Sequence, residues 1–325
     1  MVWQLIIPLL VLLPGNSVQQ SKKLNWEIGD YIFSPGPTGA FDEISVKDPS
    51  IVFYENKWHI FYTARSENEY TTGYVSAKDF KRLNAVPRKE LKQIRGKTRY
   101  GCAPQVFYFE PQQKWYLVFQ NRDANYQAAY STTVNISEPE SWSTTQTLIE
   151  KDTPKKWIDF WIIAEEQKVY LFYTEAHNGV MVRSTSFEKF PNDWGKSKQV
   201  FDNVHEAVHI YKVADKQEFH MIYELNNDGI RSFGLAKANH LEGPWLKVTD
   251  KYATGDQLRW TDGCIPWTEM ISHGEVIRSG FNQYMEYQPA NCRWLIQGLM
   301  KKDLNVKYEL LPWKLGIIQQ IETSK

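Results

Sequence analysis

The sequence predicts an all-β chain folded as one five-bladed β-propeller, and three observations lead there. Two-strand hairpins recur five times along the 325 residues. A third strand follows four of them at a nearly constant interval. Helical periodicity sustained over about 11 residues is almost absent.

The hairpins come in order. Asp48–Tyr54 leads into Trp58–Tyr62, and Pro104–Phe109 into Trp115–Phe119. Asp159–Ala164 leads into Val169–Tyr173, Glu206–Val213 into Glu218–Tyr223, and His273–Arg278 into Phe281–Tyr287. Each joins two runs rich in Val, Ile and aromatics across a short polar turn, which is the signature of a hairpin. The third strands carry Ser76, Ser131, Ser184 and Ala236 at matching places, spaced 55, 53 and 52 residues apart. Trp142, Trp194 and Trp245 then close three of the units. Lys78 to Leu91 is mixed and polar and reads as a loop. Strands around Trp26–Phe33 and Leu315–Ile318 would close the ring. A period near 50 with three or four strands per unit fits propeller blades. A large β-sandwich is the second choice, and it needs no fixed unit length.

Composition narrows the function. Lys plus Arg and Asp plus Glu are 38 each, so the formal net charge is zero. Nucleic acid and anionic membranes call for a surplus of Lys and Arg, so neither is the expected partner. A neutral ligand fits better. Residues Val2 to Pro14 form an apolar run too short to span a bilayer, followed by Gly15-Asn-Ser. Residues 1–17 therefore read as a signal peptide, and 18–325 as a secreted, extracellular propeller. Asn135-Ile-Ser is a glycosylation sequon in a secreting eukaryote. Of Cys102, Cys264 and Cys292, the last two could bridge, leaving Cys102 free.

In a propeller the first strand of each blade lines the central channel. The residues opening the hairpins are Asp48, Pro104, Asp159, Glu206 and His273. Three are carboxylates from three blades. Asp at a strand start is disfavoured by propensity, and clustered carboxylates repel one another. Any one of them alone is explained as a turn cap. Three at matching places indicate a site that uses them. Three carboxylates around a pocket suit glycoside hydrolysis, with one as acid, one as base or nucleophile, and one tuning its neighbour. Carboxylates with His273 could also hold calcium, although no EF-hand loop is present. Gly-x-Ser-x-Gly and Gly-x-Gly-x-x-Gly patterns are missing from the sequence.

Four longer motifs carry a resemblance. Val46-Lys-Asp-Pro-Ser-Ile-Val, Cys102-Ala-Pro-Gln-Val-Phe-Tyr-Phe with Lys114-Trp-Tyr-Leu-Val, Trp157-Ile-Asp-Phe-Trp-Ile-Ile and Ile271-Ser-His-Gly-Glu-Val-Ile-Arg resemble glycoside hydrolase family 62. The likeness runs from about Trp26 to Ile318. It implies a monomeric α-L-arabinofuranosidase that acts on arabinoxylan with inversion and requires no cofactor. It implies Asp48 as general base, Glu206 as general acid, and Asp159 as the carboxylate that tunes the acid. Lys47, Glu224, Arg231, Gln120 and Tyr308 match pocket positions, and His273 matches a histidine beside a calcium ion. Phe160 and Trp161 would supply an apolar setting for Glu206. Among the aromatics, Trp161, Trp267 and Tyr308 stand outside the repeat and are candidates to face a sugar. The sequence departs from the family at His205, and Tyr252 to Pro266 does not align. A related five-bladed xylosidase or arabinanase, or a non-catalytic propeller lectin, are the competing readings.

Overall fold

A computed structural model describes residues 24–67, 69–122 and 127–321. The proposed signal peptide lies outside the described residues. Among the described residues the regular structure is strands and short 3₁₀ turns, arranged as five sheets around an axis.

Blade I comprises Ser45–Tyr54, Lys57–Arg65, Tyr70–Ala77 and Lys89–Glu90. Blade II comprises Gly101–Phe109, Lys114–Asn121, Gln127–Thr133 and Gln146–Thr147. Blade III comprises Trp157–Glu165, Lys168–Glu175, Gly179–Ser186 and Lys198–Phe201. Blade IV comprises Glu206–Val213, Phe219–Asn227, Ile230–Ala238 and Leu246–Ala253. In each of these, successive strands pair antiparallel, as the alternating apolar runs and tight turns require.

Blade V closes the ring. Its inner strand Met270–Val276 pairs with Arg293–Leu299, then Lys314–Ile321. The N-terminal strand Asn25–Ile28 adds to this sheet antiparallel to Lys314–Ile321, with Leu258–Trp260 parallel on its other side. The two ends of the propeller are thus hydrogen-bonded in one blade, as the sequence predicts.

One predicted hairpin is corrected. His273–Arg278 does not pair with Phe281–Tyr287. The apolar run of Trp294, Leu295 and Ile296 takes the place beside the inner strand, and residues 277–288 leave the blade to cross one end of the channel. Backbone amides of Tyr108, Ala164 and Lys212 donate to the carbonyls of Phe281, Gln283 and Met285. Glu286–Tyr287 adds in parallel to blade IV. Arg278, 9% exposed, donates to the carbonyls of Ile51 and Val106. This segment ties blades I to IV together and seals that end.

Between blades the core is aromatic. Trp142 meets Phe61 of blade I edge-on, and Trp245 meets Phe172 of blade III in the same way. Both tryptophans pack back onto the second strand of the preceding blade, which explains their recurrence. The three cysteines are all free. Cys264 sits beside Thr261 and Cys292 is buried, and the bridge that the sequence allows between them is not formed.

Candidate active site

The open end of the channel owes its shape to one repeated irregularity. Every inner strand slips by a bulge at the same height: after Lys47, Cys102, Ile158, Glu206 and Ser272. A bulge inserts a residue, bends the strand and re-aims side chains. The bulged residues Asp48, Ala103, Asp159 and Ala207 have φ of 47°, 48°, 57° and 50°. Non-glycine residues rarely adopt this left-handed region and hold it only where neighbours fix it.

The neighbours are visible. The bulge amide of Asp48 donates to Gln297 at 2.6 Å, that of Ala103 to Thr63 at 2.8 Å, and that of His273 to Glu224 at 2.8 Å. The amide of Ala207 donates to Asp159 at 2.8 Å. In each case a side chain of the preceding blade accepts. Four of the five bulges are thus held by a side chain of the preceding blade.

This register corrects the sequence reading at two points: the blade II residue equivalent to Asp48 is Ala103 rather than Pro104, and Glu206 is also displaced. Asp48 and Asp159 are structural equivalents, but the equivalent in blade IV is Ala207. Glu206 shares its place instead with Lys47, Cys102, Ile158 and Ser272. It still enters the same cavity, because residues on either side of a bulge both reach the channel mouth.

The cavity has a volume of about 610 Å³. Asp48, Asp159, Glu206, Lys47, Gln120, Arg231, Tyr308 and His273 all line it, as the sequence predicts. Tyr70, Tyr100, Cys102, His177 and His205 also line it and were not singled out as pocket residues. Cys102 shares the bulge register with Lys47 and Glu206, so the repeat held that signal. His177 sits on a hairpin turn and carried none. A wider groove of about 1110 Å³ adjoins the cavity through His177, His205 and Arg231, over the outer parts of blades III and IV.

Three predicted residues lie elsewhere. Trp161 is 1% exposed, stacks on His209 with centroids 4.1 Å apart, and donates to the Ile210 carbonyl. It packs between blades III and IV and cannot face a sugar. Trp267 is buried and donates to the Gly29 carbonyl. Glu224 is fully buried beneath the cavity and bonds protein groups alone.

Charge is concentrated at the cavity floor. Lys47 Nζ lies 3.5 Å from Asp48 Oδ2 and donates to the Tyr308 hydroxyl at 3.1 Å. His273 Nδ1 lies 3.6 Å from Asp48 Oδ1 and 3.9 Å from Asp159 Oδ2. Burial raises Asp159, His273 opposes that, and Glu206 and Asp48 add to it. Arg231 Nη1 donates to Glu206 Oε1 at 2.7 Å and also to Glu224. Burial would raise Glu206, but Arg231, with His205 and His177, outweighs it and holds that carboxyl down at about 2. Burial lifts Glu224 to about 7 against the pull of Arg231. The expected apolar cradle of Phe160 and Trp161 around Glu206 is therefore not what controls it. A guanidinium does.

Two groups of donors bear on the expected calcium ion. Calcium takes about six to eight oxygens. Around His273 the protein offers two carboxylates, while the axial carbonyls of Ile51 and Val106 are bonded to Arg278. Asp48, Asp159 and His273 would supply only part of a calcium shell, and water would have to complete it. His177, His205 and Glu206 bring ligand atoms within 4.8 Å of one another. Arg231 on Glu206 and Lys156, 3.5 Å from His177 Nε2, place cations at the same spot and oppose a metal ion.

Known proteins share this fold. The profile of glycosyl hydrolase family 62 matches residues 37–319. Alpha-L-arabinofuranosidase C of Cellvibrio japonicus (strain Ueda107) is 32% identical over 318 residues, 94% of this chain and 48% of its own. The chain thus spans about half the length of that curated relative. The catalytic domain of the Coprinopsis cinerea GH62 alpha-L-arabinofuranosidase superposes with a TM-score of 0.85 at 30% identity, covering 91% of this chain and 97% of that one. An alpha-L-arabinofuranosidase from Podospora anserina in complex with cellotriose gives 0.83 at 27%, covering 92% and 97%.

Proposed function

The chain belongs to glycosyl hydrolase family 62, and from that membership and its pocket we propose that it is an α-L-arabinofuranosidase that strips arabinofuranosyl side groups from arabinoxylan with inversion. The observation that carries this reading is the gathering of Asp48, Asp159 and Glu206, from three blades, on the floor of one cavity large enough for a sugar ring.

In this mechanism Glu206 gives a proton to the glycosidic oxygen as the bond to C1 breaks. Asp48 takes a proton from a water that attacks C1 from the opposite face. Positive charge developing on the ring is met by the carboxylates around it. Asp159 acts one step removed: by accepting from the Ala207 amide it fixes the backbone next to the acid. Lys47, Gln120, Arg231 and Tyr308 offer donors for the sugar hydroxyls. The complex of the Podospora relative with cellotriose supports an oligosaccharide as the ligand. The same reading makes the protein a secreted monomer. The acid role requires that Arg231 release its hold when the glycosidic oxygen arrives.

The test is incubation with arabinoxylan, linear arabinan and xylobiose, with identification of the released sugar. Arabinose from arabinoxylan supports the reading. Release from arabinan alone would favour an arabinanase, xylose from xylobiose a xylosidase, and no release a lectin.

A further inference from the structure

Glu206 and Glu224 face each other as direct cross-strand partners in blade IV. Two like charges in that position repel. One guanidinium nitrogen, Arg231 Nη1 from the next strand, bonds both. A single positive charge neutralises only one of the two carboxylates, so the trio is balanced when it holds one proton. The remaining groups divide the pair. Glu224 is fully buried and faces the Ser272 hydroxyl at 2.5 Å and the His273 amide at 2.8 Å. Glu206 opens to the cavity and faces His177 and His205, each 3.6 Å from its Oε2. Tyr308 and Asp159 lie further off.

We propose that Glu206 and Glu224 share a single proton, with Arg231 following the ionised partner, so that Glu224 loads the general acid. While Arg231 holds Glu206, the proton rests on Glu224. When a glycosidic oxygen is presented to Glu206, Arg231 turns to Glu224 and the proton crosses the cross-strand pair to Glu206. Glu224 then ionises against Arg231, Ser272 and the His273 amide. Bond cleavage carries the proton from Glu206 to the leaving oxygen. The attacking water gives its own proton to Asp48, and the pair is reloaded from solvent. Glu224 touches no sugar and is a positioning residue. This inference rests on Glu206 being the acid.

The experiment compares Glu224→Gln and Glu206→Gln on arabinoxylan and on 4-nitrophenyl α-L-arabinofuranoside, whose leaving group needs little protonation. In the Glu224→Gln variant, Arg231 belongs to Glu206 alone and the acid stays ionised. We expect a loss on arabinoxylan at least tenfold greater than on the nitrophenyl glycoside, within the ~10²–10⁴-fold that general acid catalysis supplies. The pH optimum should move down, and Glu224→Asp should restore it in part. Equal loss on both substrates with an unchanged pH profile would mean a structural role and overturn the inference. If Glu206→Gln discriminates between the leaving groups and Glu224→Gln does not, only the shared proton fails. If Glu206→Gln retains normal turnover, the acid assignment fails as well. Should the Glu224→Gln variant not fold, carboxyl ¹³C NMR of Glu206→Gln reads the same sharing. Glu224, now sole partner of Arg231, should titrate at least one pH unit lower than in the wild type. An unchanged titration overturns the proposal.

Discussion

The two ends of the channel are built from the same five strands and do opposite things. At the sealed end, Arg278 pairs with Glu275 at 2.8 Å and bonds two carbonyls, and Ser50 donates to Glu275 at 2.5 Å. Charge there is matched and closed off. At the open end, carboxylates outnumber the Lys and Arg side chains that touch them: Lys47 meets Asp48, Arg231 meets Glu206 and Glu224, and Asp159 lies beside His273. The surplus charge gathers at the open end, beside the four left-handed bulge residues. One end holds the blades together, and the other uses that rigidity for chemistry.

This contrast can be broken from either side. The largest effect is expected at the open end. Glu206→Gln and Asp48→Asn should each lower turnover of arabinoxylan by about 10²–10⁴-fold while thermal unfolding barely moves. Near-normal turnover in either, measured by released reducing sugar, would remove that residue from the mechanism. At the sealed end, Arg278→Met should leave Glu275 buried and unpaired. That costs about 3–5 kcal/mol of stability, read by denaturant unfolding, with the folded fraction keeping its kcat/KM within a few-fold. A loss of activity without loss of stability would erase the distinction between the ends. The smallest effect is in pH. Glu206 titrates below its ordinary 4.5 in the folded state, so its contribution is present above pH 4.5 and lost as pH falls towards 2. Glu224 is raised to about 7, so the folded state binds the extra proton and stability declines as pH rises from 4.5 through 7. The melting temperature should peak near the lower edge of that window, and Glu224→Gln should flatten the decline above it.

Much of this architecture was legible in the sequence, because a blade repeats its hairpin and the repeat needs no tertiary information. Asp48, Asp159 and Glu206 were found because strand starts in different blades converge on an axis. The one-residue offset of Glu206 was not legible. A bulge is defined by which partner a residue skips, and that is a property of the ladder rather than of one strand. The same limit hid the ring of second-strand acceptors, Thr63, Glu224 and Gln297, that hold the bulge amides. The fifth hairpin was misread because Phe281–Tyr287 has strand-like composition, yet its backbone bonds serve three other blades. Trp161 was misplaced for a related reason: it is non-repeating, but its neighbour His209 is what it fits.

Proton NMR of arabinoxylan freshly exposed to the enzyme decides whether Asp48 and Glu206 work as an inverting pair. The first signal should be β-L-arabinofuranose, which mutarotates afterwards, and Glu206→Gln should yield none on the same timescale. Initial release of the α-anomer, or of xylose, would contradict the assignment.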